Sequence, residues 1–401
     1  MTKDPDIRIS QAFRFAFMLL IVGLFFQCKR KEIGTPTVPT EKDLFVRGVD
    51  LSYTSQIEDH GGIFKQYNKN VDPYSLLKTK GANMVRLRLW HNPEWIKDIY
   101  GEQTKVYSGL AEVTKDIQRA KRQKLEVLLD FHYSDTWADP AHQEIPKAWR
   151  QISSLKVLKD SIYQYTFKTL DALDKQDLLP EMVQLGNEIN HGFLYSKRPS
   201  SFPNLSLSDG QWSPFGEVMN SAIQAVRDIE RQSQKKIKIA LHIADPNGIA
   251  WWFEKATTEG KVTDFDIIGF SYYHIWHTEI PFKELGATIK KSKERFQKEV
   301  MILETAYPFT TQNNDTYPNL YYRQDPVEGY DYTIAGQKAF MSELLKESYK
   351  AGASGVFYWA PEWISSSLRD LWGEGSSWEN CALFDFNGEA TDAINYLNTP
   401  L

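Results

Sequence analysis

The chain has 401 residues, 42% of them hydrophobic and 25% charged, with 23 glycines and 18 prolines; this is apolar material enough for one enlarged domain or two average ones, and it excludes a wholly disordered polypeptide. Its 47 basic and 52 acidic residues give a formal net charge of -5 with no long basic block, so the chain carries no footprint for a nucleic acid backbone and a weakly charged ligand fits better. The 12 Trp, 20 Tyr and 22 Phe offer many flat apolar faces; most belong to a core, and the surplus can stack on the C–H faces of sugars.

In chain order, the first feature is Arg8 and Arg14 followed by an apolar run from Phe15 to Phe26 that ends at Cys28. The run matches the hydrophobic part of an export signal and falls short of the ~20 residues that span a bilayer. Lys29, Arg30 and Lys31 follow, then a Thr/Pro-rich stretch from Thr35 to Thr40. The segment resembles a bacterial lipoprotein signal. It predicts a signal over 1–28 with Cys28 lipidated, a flexible tether over 29–43, and a protein that touches the membrane through that lipid at the cell surface. Only Cys381 then remains, so one chain cannot form an internal disulfide, and the protein is expected to be a monomer.

From residue 44 to 401 short apolar runs alternate with amphipathic stretches. Strands are predicted at Val46–Leu51, Met84–Trp90, Leu125–Phe131, Met182–Leu185, Ile237–Leu241, Ile267–Phe270, Val300–Leu303 and Gly355–Trp359. Between them, helical spacing marks Pro73–Lys80, Leu110–Gln123, Ser154–Leu170, Pro214–Arg231, Lys283–Phe296 and Thr333–Lys350. Eight such βα units predict an α/β fold, a (β/α)₈ TIM barrel in one catalytic domain. The surplus over a minimal barrel falls in extended βα loops, Asp135–Ser153, His191–Gln211, Pro308–Thr333 and Pro361–Asn387. Loops at the C-terminal end of barrel strands build the binding site. No phosphate-binding glycine fingerprint follows the first strand, which argues against a nucleotide-binding open sheet.

Two strand ends deliver carboxylates. Gln184-Leu185-Gly186-Asn187-Glu188 closes the fourth strand, and Val300-Met301-Ile302-Leu303-Glu304 the seventh. A pair facing one another across a barrel mouth can hydrolyse a glycosidic bond with retention if the carboxyls lie ~5–5.5 Å apart: Glu304 attacks the anomeric carbon, and Glu188 protonates the leaving oxygen and then activates water. Arg86 and Arg88 share strand parity, and Arg88, nearer the strand end, is expected to orient Glu304; Tyr272 is expected to offer its phenol. Asp50, His91 and His132 are candidates for sugar hydroxyls, joined by Trp90 and Asn187. Trp359 is a candidate stacking platform, and Trp137, Trp363 and Trp372 outer contacts. Asp130, His132, His274 and His277 form no recognisable catalytic metal motif. Asn313, Asp315 and Asn319 carry oxygens suited to a structural calcium, or equally to a polar turn.

With these residues in place a resemblance is evident. Phe45 to Ser52, Asn83 to Trp90, Leu129 to Pro140, Gln184 to Asn190, Glu304-Thr305-Ala306-Tyr307 and Gly375 to Asn380 resemble, in order, the motifs of the arabinogalactan endo-β-1,4-galactanases of glycoside hydrolase family 53. The resemblance implies cleavage of internal β-1,4 linkages in pectic galactan without a cofactor, with Glu188 as acid/base and Glu304 as nucleophile. Some bacterial relatives hold calcium through an Asp-x-Asp-x-His-x-Asn segment in the seventh loop; here Asn313 replaces the first Asp and Tyr317 the His. The alternatives are another retaining endo-glycosidase of the same clan, acting on mannan or cellulose, and a non-catalytic glycan-binding barrel at the cell surface.

Overall fold

The computed structural model describes residues 45–401 except Thr278, Glu279 and Arg323; the predicted signal, Cys28 and the tether lie outside the described residues. Eight parallel strands close into a barrel: β1 (Val46–Asp50), β2 (Met84–Leu89), β3 (Glu126–Phe131), β4 (Met182–Leu185), β5 (Lys238–Ile243), β6 (Ile267–Ser271), β7 (Glu299–Thr305) and β8 (Gly355–Tyr358). β1 pairs with both β2 and β8, which completes the closure. All eight predicted strands are present, with no end moved by more than two residues, and the (β/α)₈ architecture is the observed one. Among the described residues no helix is long and apolar enough to cross a membrane.

Side chains alternate across each strand, and the alternation sorts them into two environments. Outward-facing Val49, Val85, Leu129, Val183, Ile239 and Ile268 are fully buried beneath the helices. Inward-facing Val46, Met84, Leu128, Met182, Ala240, Ile267, Met301, Leu303 and Phe357 fill the lower barrel as a separate apolar cluster. Gly48 completes that packing, since a Cβ there would lie 2.1 Å from the Phe357 ring. Above the cluster, the same inward positions become polar at Asp50, Arg86, Asp130, Gln184, His242 and Ser271, all buried.

The helices follow from sequence in the usual way. In the helix Trp212–Ser233, Phe215, Val218, Met219, Ala222, Val226 and Ile229 recur at three and four residue spacing and are all buried. Asp72 caps the helix Pro73–Thr79 by accepting from the Ser75 amide at 3.0 Å, with Pro73 in the first turn, and Thr333 caps Ile334–Lys350 through Gly336. The helix Ile249–Thr258 lies outside the predicted set. Its Ile249-Ala250-Trp251-Trp252-Phe253 run is too continuous for periodicity to separate helix from strand. Among the described residues of the four long loops, the helical segments are two 3₁₀ turns, Lys147–Trp149 and Glu379–Cys381.

One irregularity carries chemical weight. Against β6, the register runs Phe270 to Ile302 and then Ser271 to Glu304; against β8 it shifts between Val356 and Tyr358. β7 therefore holds an extra residue relative to both neighbours. Met301 and Leu303 point into the lower core, and strict alternation would send Glu304 outward. The bulge resets the parity and brings Glu304 to the barrel mouth.

Candidate active site

At the C-terminal ends of the strands lies a cleft of about 410 Å³. The third loop contributes Trp137, Ala138, Asp139 and His142, and Asn187 and Glu188 follow the end of β4. Tyr273 and Trp276 follow β6, Glu304 is the penultimate residue of β7, and Tyr317 and Leu320 come from the seventh loop. The eighth loop adds Trp359, Trp363, Asp370, Trp372, Ser377 and Trp378. Trp359 is held by edge contacts to Trp137, Trp363 and Trp378, with ring centroids 5.8, 6.1 and 5.0 Å away.

Glu188 occupies a backbone position with φ of 47°, a left-handed conformation that non-glycine residues seldom adopt. The turn begins as β4 leaves the sheet, so the carboxyl faces the cleft instead of continuing the strand. Ser271, opposite Glu304 in register, donates to Glu188 Oε1 at 2.6 Å. Through Ser271 the fourth and seventh strand ends meet at one place. Behind Ser271, His242 Nε2 lies 3.0 Å from its hydroxyl.

Glu304 has stronger partners. Arg86 approaches Oε1 at 2.9 Å, and the Tyr273 hydroxyl donates to Oε2 at 3.0 Å. Arg86 also reaches Asp50 at 2.7 Å, Asp130 and Asn187 at 2.8 Å and Gln184 at 3.1 Å. One buried guanidinium thus serves three carboxylates. Burial alone would lower its proton affinity, but Asp130, Glu304 and Asp50 raise it well above the ordinary arginine value, so it is a fixed cation. Burial works against an ionised Asp130 too, and Arg86 and His132 nevertheless hold it below the usual carboxylate range. His132 accepts the Ala138 amide at Nδ1, 3.2 Å away, which leaves Nε2–H to donate to Asp130 at 3.0 Å. Burial keeps this imidazole and that of His242 neutral.

The two cleft acids differ in proton affinity for stated reasons. Glu188 is pushed up first by burial and then by the charge of Glu304, and the Ser271 hydroxyl and, less strongly, Arg86 pull the other way. Burial raises Glu304 as well, but Arg86 and the Tyr273 hydroxyl oppose the rise. Of the pair, Glu304 ionises first and Glu188 retains the proton.

The sequence of a known family covers this whole arrangement: the description of Glycosyl hydrolase family 53 matches residues 46–397. The chain belongs to that family. It is 41% identical to the arabinogalactan endo-beta-1,4-galactanase of Cellvibrio japonicus over 85% of this chain and 86% of that one, and 30% identical to the endo-beta-1,4-galactanase of Bacillus subtilis over 87% and 84%. The Ignisphaera aggregans GH53 catalytic domain superimposes with a TM-score of 0.78 at 34% identity, covering 91% of this chain and 97% of that structure.

Within this family 53 barrel, Glu188, Glu304, Asn187, Trp359 and Trp363 line the cleft, as do Trp137 and Trp372. Two expected partners of Glu304 are corrected. Arg86, not Arg88, reaches it, because Arg88 is taken up by an aromatic box: its guanidinium lies 4.5, 4.4 and 4.2 Å from the Tyr53, Trp90 and Trp137 rings and bonds to Ser108. Tyr273, not Tyr272, supplies the phenol, because Ile267, Gly269, Ser271 and Tyr273 share parity while Tyr272 donates to the Ile280 carbonyl at 2.6 Å. Asp50 and His132 belong to the buried network below the cleft. Trp90 packs against Trp95 and Trp137, and His91 against Trp149 and Tyr165. None of these four is among the cleft-lining side chains. Strand parity could have selected Tyr273; Asp139, His142, Trp276, Leu320, Tyr317 and Trp378 are placed by loop conformations for which the sequence holds no periodic signal.

Asn313, Asp315 and Asn319 do not fit a calcium. Asn319 donates to Asn313 Oδ1 at 2.6 Å, and Asp315 accepts the Tyr317 and Ser376 amides at 2.8 Å each. The Asn313 and Asp315 oxygens are spent on neighbours, and the buried Asn319 Oδ1, which has no partner, is a single neutral oxygen against the six to eight ligands a calcium takes.

Proposed function

We propose that the chain is an endo-acting β-1,4-galactanase that works with retention, Glu304 being the nucleophile and Glu188 the acid/base. The observation that carries the reading is two carboxyls of unequal proton affinity at one aromatic-lined cleft, in a chain whose family and relatives are those reported above. Arg86 and Tyr273 hold both oxygens of Glu304 in a fixed orientation, so attack on the anomeric carbon needs little rearrangement. Glu188 gives its proton to the leaving oxygen. Once Glu304 is esterified by the sugar its negative charge is gone, and with it one cause of Glu188's high proton affinity. Having given up its proton, Glu188 stays ionised and is the base that takes the proton of the water attacking the glycosyl ester.

The test is the time course of oligosaccharides from linear galactan beside mannan and cellulose, with the anomeric configuration of fresh product followed by NMR. Mid-length galacto-oligosaccharides of retained configuration are expected early. Preferential turnover of mannan or cellulose, inverted product, or galactose alone would each overturn part of the reading. Export and attachment through a lipidated Cys28 accompany this proposal: an anchored enzyme suits a cell that cuts polymer at its surface. Mass spectrometry of the natively produced protein should find an acylated Cys28 as the first residue, and any other N-terminus would remove the anchor.

A further inference from the structure

The eighth loop contains a tight turn whose tip projects into the cleft. Arg369 and Glu374 form an antiparallel bridge, and between them the Asp370 amide donates to the Gly373 carbonyl at 3.0 Å. The Asp370 carboxylate accepts the amides of Trp372 and Gly373 at 2.8 Å each, the local arrangement for which aspartate at the head of a turn is favoured. Trp372 at the tip is 52% exposed and faces the cleft. At its base the turn is held from outside, where the Tyr100 hydroxyl donates to the Arg369 carbonyl at 2.8 Å, but its tip beyond Asp370 still needs a neighbour.

The brace comes from the seventh loop. The Tyr317 hydroxyl lies 3.2 Å from each Asp370 oxygen, and its ring packs so closely on the turn that a Cβ at Gly373 would fall 2.8 Å from it. The base of Tyr317 is fixed in turn, because Asp315 accepts the Tyr317 amide and, across the loops, the Ser376 amide. Glu379 accepts the Asn314 and Asp315 amides and the Ser365 hydroxyl. Each anionic oxygen that could have drawn in a cation is met by a donor of the chain.

We propose that Tyr317 and Asp370 are positioning residues that hold the Trp372 turn against the substrate, and that they clamp the seventh and eighth loops without a metal ion. The proposal rests on the galactanase reading for its substrate, but the clamp itself is measurable without turnover. It gives Tyr317 a specific task at the place where the family segment has histidine: a phenol reaches across to a carboxylate directly.

The experiment compares Tyr317→Phe, Trp372→Ala and the double variant, in the full domain, on linear galactan. Tyr317→Phe deletes one hydroxyl and is expected to raise KM on polymer ~3–10-fold with kcat within ~2-fold, the pattern of lost binding shared by ground and transition states. If Tyr317 acts through Trp372, adding Tyr317→Phe to Trp372→Ala has no further effect on KM; additive losses would overturn the positioning role. In parallel, the thermal midpoint of the unmodified protein is measured with chelator and with added calcium. No shift is expected in either, and a rise with calcium would overturn the metal-free clamp. A protein that shows the expected calcium indifference yet leaves galactan untouched would sink the galactanase reading and leave the clamp standing.

Discussion

The two halves of the barrel interior are built from the same strands and are held by different forces. Below, Met84, Leu128, Met182, Ala240 and Phe357 form a sealed apolar layer, stabilised by burial at about 25 cal/mol per Å² and by close packing. Above, Arg86 gathers Asp50, Asp130 and Glu304 with His132, Gln184 and Asn187 around them. Removing charges from water is costly, and such a network is weak grounds for stability. What it provides is fixed orientation and proton affinity where the chemistry needs them. The lower layer should therefore answer to mutation in stability, and the upper one in rate and pH dependence.

The largest effect is expected at the top. Glu304→Gln should lower polymer turnover by at least ~10⁴-fold, since the nucleophile is gone, while Glu188→Ala should cost ~10²–10⁴-fold on polymer and far less on an aryl glycoside whose leaving group needs no proton. Steady-state rates on both substrates measure the split. Equal losses on both substrates for Glu188→Ala would contradict the assigned role.

Next comes Arg86→Met, which leaves three buried carboxylates without their cation. Breaking such a network costs ~3–5 kcal/mol of stability, and the pH dependence should change in a definite direction. Arg86 opposes the rise of Glu304's proton affinity, so its loss raises that affinity further. Glu304 must be ionised to attack, and the acid limb of the kcat/KM profile should move to higher pH. An acid limb that stays in place would separate Arg86 from the nucleophile.

How the sequence announced these features bears on the contrast. Eight strands, six of the helices and both cleft acids are legible because burial imposes periods of 2 and 3.6 on apolar residues. Even Glu304 was found from its strand end, although its inward aim depends on a bulge that no period reveals. The corrections at Arg88 and Tyr272 have different causes, since Tyr272 and Tyr273 differ in parity whereas Arg86 and Arg88 share it. Parity alone would have chosen Tyr273, whereas the choice of Arg86 over Arg88 needed the aromatic box of Tyr53, Trp90 and Trp137. Those rings come from three separate segments, a juxtaposition that only the closed barrel creates.

The lower layer gives the converse test. Leu128→Ala should cost ~2–5 kcal/mol through the cavity it leaves, seen as an earlier midpoint in denaturant, while kcat/KM at a temperature well below unfolding stays within ~3-fold. A loss of rate comparable with that of Arg86→Met would mean that the two layers are not separable.

The smallest effect concerns Glu362, a fully buried acid just beyond β8. Its Oε1 accepts the Tyr53 amide at 3.1 Å, and its other oxygen has no partner. Burial, then the neighbouring Asp50, raise its proton affinity far above the ordinary glutamate value. The sign of the consequence follows from linkage: the folded state keeps the proton and the unfolded state releases it above about pH 4.5, so folding loses stability as pH rises from there towards the folded value. Glu362→Gln removes this dependence and preserves the acceptor for Tyr53. The variant and the unmodified protein should therefore diverge in thermal midpoint as pH is raised from 4 to 8, the variant gaining relative to its parent. A constant difference across that range would show that Glu362 ionises in the folded protein after all, and the rim of the upper layer would then carry one more charge than its hydrogen bonds account for.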